Sequence, residues 1–271
     1  MTSFSDQDTG REVNRVTGVS LREVDHPAPP GDTHVVGEVV DLDHLRGPSG
    51  SVRAGALMTM ADTVGGMCAG LAALPGWVVS TNLMLCTAPG PHRGPLALDA
   101  RVLRAGRNAI VTQVQIRDTG DGDCAVVDGV LTSAVLEPDG GPPHFPRPMA
   151  LGPPERLDPV LPLLEFFGVR THGPDAVALD ITARVRNPWG ILHGGATAVL
   201  IDAAAAHAVG DDATTTDAVV HFLRPGRVGP ALATATVLGT RADGELVRVE
   251  VVDAGAEDRV MAVAVATVRP H

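Results

Sequence analysis

The sequence predicts an α+β chain built as two tandem copies of one unit. Each copy is an antiparallel sheet wrapped around a long central helix, and the copies pack on each other as an internal pseudo-dimer. Three observations predict it. Two segments 140 residues apart match, GSVRAGALMTMAD at Gly50–Asp62 and GILHGGATAVLID at Gly190–Asp202, sharing Gly50 with Gly190, Gly55 with Gly195, Ala56 with Ala196 and Asp62 with Asp202. Each segment opens a run rich in Ala, Gly, Val and Met on nearly every side, the composition of a helix enclosed all round. Each is followed by alternating apolar and polar residues around short Gly, Asn and Asp turns, the pattern of an antiparallel meander. A period this long excludes a solenoid and points to duplication of a whole domain.

The elements follow in order. With 271 residues, 44% of them apolar, the chain has material for a large core. Its start, Met1–Arg15, is polar and acidic, unlike the basic-then-apolar layout of a secretory signal. No stretch approaches the ~20 uninterrupted apolar residues of a membrane span. The first copy, 1–136, carries a helix from about Ala54 to Leu74, then the strand runs LALDARVLRAGRNAIVTQVQIRD and AVVDGVLTSAVL. Residues 137–162 hold nine prolines and read as a linker, because proline lacks the N–H that helices and central strands need. The second copy, 163–271, repeats the plan with a helix from about Gly194 to Val209 and the runs ALATATVLGTRADGELVRVEVVD and RVMAVAVATV. Pro89-Gly90 in the first copy is answered by Pro225-Gly226 in the second.

Net charge is -11, and all 21 basic residues are arginine. An acidic chain without a basic run suits neither nucleic acid nor an anionic membrane surface. The three cysteines, Cys68, Cys86 and Cys124, are odd in number and lack CxxC spacing. They read as free thiols of a cytoplasmic protein, forming neither a disulfide frame nor a metal site.

The sharpest pattern lies in the second copy. It runs Asn187-Pro188-Trp189-Gly190-Ile191-Leu192-His193-Gly194-Gly195, with Asp202 nine residues past the histidine. Thr215-Thr216-Asp217 and then His221-Phe222-Leu223-Arg224-Pro225-Gly226 follow. The combination resembles the hotdog-fold acyl-CoA thioesterases of the phenylacetate-pathway (PaaI-like) type. Their pattern is N-x-x-G-x-x-H-G-G, an acid nine residues after the histidine, and a later strand ending in FLRP or similar. The resemblance covers Leu163–Val268 directly and the first copy through the repeat. It implies two tandem hotdog half-domains, and hydrolysis of an acyl-CoA without a cofactor. It further implies that the Gly194 amide and the Asn187 side chain polarise the thioester carbonyl; His193 by itself reads as a structural residue fixing the loop rather than a base. A carboxylate then activates water or attacks directly, and a downstream hydroxyl orients the water.

The chemistry of these residue types agrees. Amides at a helix N-terminus are unpaired donors reinforced by the helix dipole, suited to a developing oxyanion. Gly194 and Gly195 leave that terminus clear of Cβ atoms, so Gly195 is also expected to face the substrate. Arg224 and Arg227, at a strand end, are the candidates for CoA phosphates. Singly, the same residues suit plainer roles: Asn187-Pro188 a turn, Gly194-Gly195 a buried helix start, Asp202 a polar residue between helices, the arginines a solvated surface. Their joint spacing favours a site. Met58, Met60 and Met67 read as core, and His207 and His221 carry no role.

Helix geometry separates the groups between the copies. Gly194 and Asp202 are eight residues apart, about 12 Å at ~1.5 Å per residue, too far to act on one carbonyl. The acid must come from a second helix packed antiparallel, so each site is composite. One site combines Asn187, His193 and Gly194 with Asp62 and with Ser80, which stands where the family places its hydroxyl. The other combines Asp202 and Thr215 with the first loop, RGPSGSVRAG, where Gly47 replaces the asparagine, Arg53 the histidine and Ala54 the first glycine. It is expected to be weak or silent.

Two other readings stand beside this one. A hotdog hydratase or dehydratase would carry G-D-x-N-P-x-H, but Asn187-Pro188 lacks the Gly-Asp and His193 is too distant. A non-catalytic acyl-CoA-binding module would be favoured if Asp62 were sealed from any cleft. The acyl group is not legible, and further dimerisation of the whole chain stays open.

Overall fold

A computed structural model describes residues 11–24, 33–88, 90–137, 148–187 and 189–270. Pro89, Pro188, residues 1–10 and 25–32, and part of the Pro-rich linker (138–147) lie outside the described residues. The first half comprises α1 (Arg11–Thr17), β1 (Ser20–Glu23), β2 (His34–Val39), α2 (Ala54–Ala73), β3 (Trp77–Thr87), β4 (Leu96–Ala105), β5 (Ala109–Asp118) and β6 (Cys124–Leu136). After β7 (Ala150–Leu151) come α3 (Leu163–Phe167), β8 (Arg170–Thr171), β9 (Ala176–Leu179), α4 (Gly194–Val209), β10 (Thr214–Phe222), β11 (Ala231–Arg241), β12 (Gly244–Asp253) and β13 (Arg259–Arg269). The halves repeat element for element, with a single 3-10 turn before each long helix, at Asp43–Leu45 and Ala183–Val185.

Among the described residues the strands form one antiparallel sheet of thirteen, in the order β7-β1-β2-β4-β5-β6-β3-β10-β13-β12-β11-β9-β8. Apart from β7, which has no counterpart, that order is symmetric about the β3–β10 pair, where Leu83 lies opposite Val220 and Leu85 opposite Ala218. The two halves therefore share a sheet across a pseudo-two-fold axis. Helix α2 packs on β2 to β6, α4 packs on β9 to β13, and the helices pack on each other. Leu57, Met58, Met60, Leu83 and Leu131 join Val199, Leu200, Ile201, Val220 and Val249 in one continuous buried cluster. A shared core makes the halves a single unit of stability. By length and composition α2 would suit a membrane span, but most of it is enclosed by the protein.

The helices cross where their glycines fall. A Cβ on Gly55 would lie 2.8 Å from Val199 Cα, and one on Gly195 would lie 2.5 Å from Thr59 Cγ2. Only glycine permits this approach. The Thr59 hydroxyl, 2.7 Å from Gly55 O and 3.1 Å from Gly195 O, ties the crossing together. The linker's C-terminal part is more than a spacer. Its β7 pairs with β1, and Met149 exchanges hydrogen bonds with Glu23 (Glu23 N–H to Met149 O 2.7 Å, Met149 N–H to the Glu23 carboxylate 2.9 Å). The two-residue strands β7 and β8 close both ends of the sheet, and such short edges resist pairing with another chain.

Candidate active site

The loop before α4 folds back on itself. Arg186 bridges Leu192, Asn187 N–H donates to Ile191 O at 2.8 Å, and Gly190 N–H donates to Asn187 O at 2.9 Å. Asn187 Oδ1 accepts from the N–H groups of Trp189 (3.0 Å) and Ile191 (3.3 Å). The first-half loop closes in the same way around a glycine: Gly47 N–H donates to Ser51 O and Gly50 N–H to Gly47 O. The turn thus forms without an asparagine. The Asn187 amide nitrogen, which has no partner among the described residues, is left for another use.

His193 is the N-cap of α4. Its Nδ1 accepts the Gly195 N–H at 2.9 Å, which fixes the neutral ring with its proton on Nε2. Burial pushes the His193 pKa below its ordinary value, against the upward pull of Asp62. Nδ1 also lies 3.8 Å from Asp62 Oδ2, but a nitrogen that accepts an amide proton makes no ion pair there. Because His193 engages the Gly195 amide, the Gly194 amide remains as a helix-terminal donor with no acceptor in its own helix.

Asp62 reaches this terminus from the other half. It stands in the middle of α2 and is only 8% exposed. A Cβ on Gly194 would lie 2.7 Å from Asp62 Oδ2, 3.2 Å from Cγ and 3.3 Å from Oδ1, so the carboxylate rests directly on the glycine. Ser80 Oγ donates to Asp62 Oδ1 at 2.5 Å. A bulge between Ser80 and Asn82 in the pairing with β6 turns the strand at this point, and bulges commonly re-aim a side chain at a site. Ser80 holds one carboxylate oxygen while the other faces the open helix terminus. A buried carboxylate of one half thus lies against the helix start of the other.

The equivalent cluster differs. β10 carries the same bulge, between Thr215 and Asp217, and Asp202 is 2% exposed. Yet Asp202 Oδ2 and Thr215 Oγ1 have no hydrogen-bond partner among the described residues. Arg53 makes no side-chain cap on α2; its Nη1 lies 3.6 Å from Asp202 Oδ2 instead.

The structure therefore brings Asp62, Ser80, His193 and Gly194 together, with Asn187 on the same loop. Gly195 is engaged inside the protein, its N–H by His193 and its Cα side by Thr59, and this leaves it a packing role rather than a face toward substrate. Arg224 and Arg227 are exposed and form no hydrogen bond or ion pair with the Asp62 group. The Arg227 backbone is held with those of Val228 and Gly229 by the Asp253 carboxylate. Burial opposes the Asp253 charge, but these three N–H donors outweigh it and keep the carboxyl below its usual range. Sequence reasoning missed Thr59 at the crossing and Asn14, whose Oδ1 accepts from Thr63 Oγ1 at 3.4 Å and so brings α1 beside Asp62. Neither belongs to a motif. Among the described residues no three His, Cys, Asp or Glu side chains are grouped to hold a metal.

Comparison with known proteins bears on both halves. Residues 183–269 match the family model of the acyl-CoA thioesterase N-terminal domain, and residues 49–125 match that of the thioesterase superfamily. Together they cover more than half of the chain. No curated protein matches the sequence. Among solved structures, a 12:0-ACP thioesterase from Umbellularia californica aligns at TM-score 0.61 and 11% identity, over 88% of this chain and 94% of that one. The tesB protein of Mycobacterium avium subs paratuberculosis aligns at 0.61 and 13%, over 97% and 100%. A candidate thioesterase II from Thermobifida fusca aligns at 0.58 and 19%, over 99% and 97%. At such identities the likeness speaks for the fold alone, a double hotdog. With thioesterase models matching either half, the chain belongs to the thioesterase superfamily and is a thioester hydrolase.

Proposed function

We propose that the chain hydrolyses acyl-CoA thioesters at one composite site, with Asp62 as general base. The observation that carries this reading is Asp62 of one half resting on Gly194, the helix start of the other, with Ser80 holding its far oxygen. Asp62 Oδ2 takes a proton from a water whose oxygen attacks the thioester carbon. The carbonyl oxygen becomes an oxyanion against the Gly194 amide and the free Asn187 nitrogen. As the tetrahedral species collapses, the C–S bond breaks and the thiolate takes up the proton, leaving free acid and CoA thiol. His193 positions the terminus and moves no proton. The PaaI-like motif and the acyl-CoA family model over 183–269 support CoA as the carrier, with Arg224 and Arg227 as phosphate contacts. The free thiols Cys68, Cys86 and Cys124 fit a cytoplasmic setting, and the acidic charge fits a protein that binds neither nucleic acid nor membrane.

The test is thiol release from short, long, branched and aromatic acyl-CoAs, with a chelator present. Turnover of at least one is expected. Asp62→Asn should lower it by about 10²–10⁴, while Asp202→Asn retains most of it. The reverse pattern would move the site to the first-half loop. Binding without turnover across the panel would leave a non-catalytic acyl-CoA module.

A further inference from the structure

The second cluster is filled by its own side chains. Gly47, Arg53 and Ala54 stand where the first cluster has Asn187, His193 and Gly194, and they fit one another. A Cβ on Gly47 would lie 3.4 Å from Arg53 Cγ and 3.8 Å from its Cζ and Nε. The arginine thus runs across the face of the loop from which an asparagine would project. The side chain is only 15% exposed, and its guanidinium ends 3.6 Å from Asp202 Oδ2. Ala54 adds a Cβ at the helix start, the position at which a Cβ on Gly194 would strike Asp62. The Asp202 carboxylate lies toward the crossing instead, its Oδ2 3.3 Å from the place of a Cβ on Gly55. At Gly195 the three nearest atoms to such a Cβ all belong to Thr59. Thr215, at the bulge matching that of Ser80, has a buried hydroxyl with no partner among the described residues.

We propose that Arg53 is a plug in a second thioester-hydrolysing cleft, that Asp202 and Thr215 are its intact but dormant machinery, and that Gly47 and Ala54 are substitutions linked to the plug. The proposal rests on the reading of the Asp62 cluster as the working site. The guanidinium, 3.6 Å from Asp202 Oδ2, stands across the approach to that carboxylate. The same group fills the space where a thioester carbonyl would meet the α2 terminus. Besides the three replaced loop residues, the carboxylate, the bulge, the hydroxyl and the helix start are all present.

The test uses the full chain carrying Asp62→Asn, which silences the first site. Into it go Gly47→Asn, Arg53→His and Ala54→Gly together, and thiol release is measured with the acyl-CoA that the parent turns over fastest. Turnover is expected to rise on the order of tenfold or more above Asp62→Asn alone, and to be lost again when Asp202→Asn is added. Turnover unchanged from Asp62→Asn, in a chain folded by circular dichroism, overturns the dormant site. The loss caused by Asp62→Asn itself would still stand, so the two failures are distinguishable. Should the combined variant not fold, thermal denaturation of Arg53→Ala, Asp202→Asn and their double in the parent decides. The plug predicts that Arg53→Ala lowers Tm and that Asp202→Asn then restores part of the loss. Independent, additive shifts overturn it.

Discussion

Replacing Gly194 by alanine adds one methyl group at the point where the halves meet. That carbon would lie 2.7 Å from Asp62 Oδ2 and 3.2 Å from its Cγ. Ordinary contact begins near 3.4 Å, so the carboxylate must retreat by about 0.7 Å, a displacement on the scale that costs roughly 10²-fold when it shifts a reacting group. It cannot do so freely, because Oδ1 is held by Ser80 at 2.5 Å and the carboxylate is buried. Backing away from the methyl stretches that bond and moves the base off the line to the carbonyl. We therefore expect kcat to fall on the order of 10²-fold. Alanine favours helix over glycine by up to ~1 kcal/mol, which offsets part of the strain, so the fold is retained. Thiol release at saturating acyl-CoA, with circular dichroism as the folding control, measures it. A folded Gly194→Ala chain with parental kcat would refute the claim that Asp62 works against this helix terminus.

Three further outcomes are expected. Ser80→Ala removes a hydrogen bond to a charged group, worth about 1.5–3 kcal/mol, so kcat should drop by about 10- to 10²-fold with the fold intact; an unchanged kcat would remove Ser80 from the site. Buried His193 resists protonation, so below about pH 6.5 the unfolded chain binds a proton that the folded chain refuses. Stability should therefore decline as pH falls from that value toward the depressed pKa, and His193→Asn should flatten this decline in Tm measured between pH 8 and 5. Fragments 1–151 and 152–271 should co-elute when expressed together and aggregate when expressed alone, since β3 and β10 are each other's neighbours; two stable separate monomers would contradict the shared core.

Much of this architecture was legible because helix starts and meander patterns are local signals. The expected helices near Ala54–Leu74 and Gly194–Val209 are found at Ala54–Ala73 and Gly194–Val209, each opening where its loop motif ends. The eight-residue spacing between Gly194 and Asp202, converted to length along a helix, separated the two composite clusters without any contact information. What stayed hidden depends on non-local placement. The α1–β1 and α3–β8 pieces repeat at an offset of about 150 residues rather than 140, with only Gly18-Val19 and Gly168-Val169 in common, too little for an alignment of strings to expose them. The bulges that aim Ser80 and Thr215 are one-residue register shifts, set by the partner strand and not by the residues themselves. Arg53 was visible as a misfit in the histidine position, but its reach to Asp202 required the helices to be brought together. The short strand within the linker, Ala150–Leu151, reads as spacer because its partner, β1, lies more than a hundred residues upstream.

The continuous strand order through β3 and β10 has a genetic consequence. In an assembly of two identical chains, a substitution appears on both sides of the axis at once. An arginine in the histidine position would then close every cleft, and selection for turnover would remove it. Joining the halves in one reading frame frees each loop to vary alone, and one cleft is enough to keep the chemistry. A loop released in this way answers only to folding, and the buried pair of Arg53 and Asp202 is one stable outcome of such relaxed constraint.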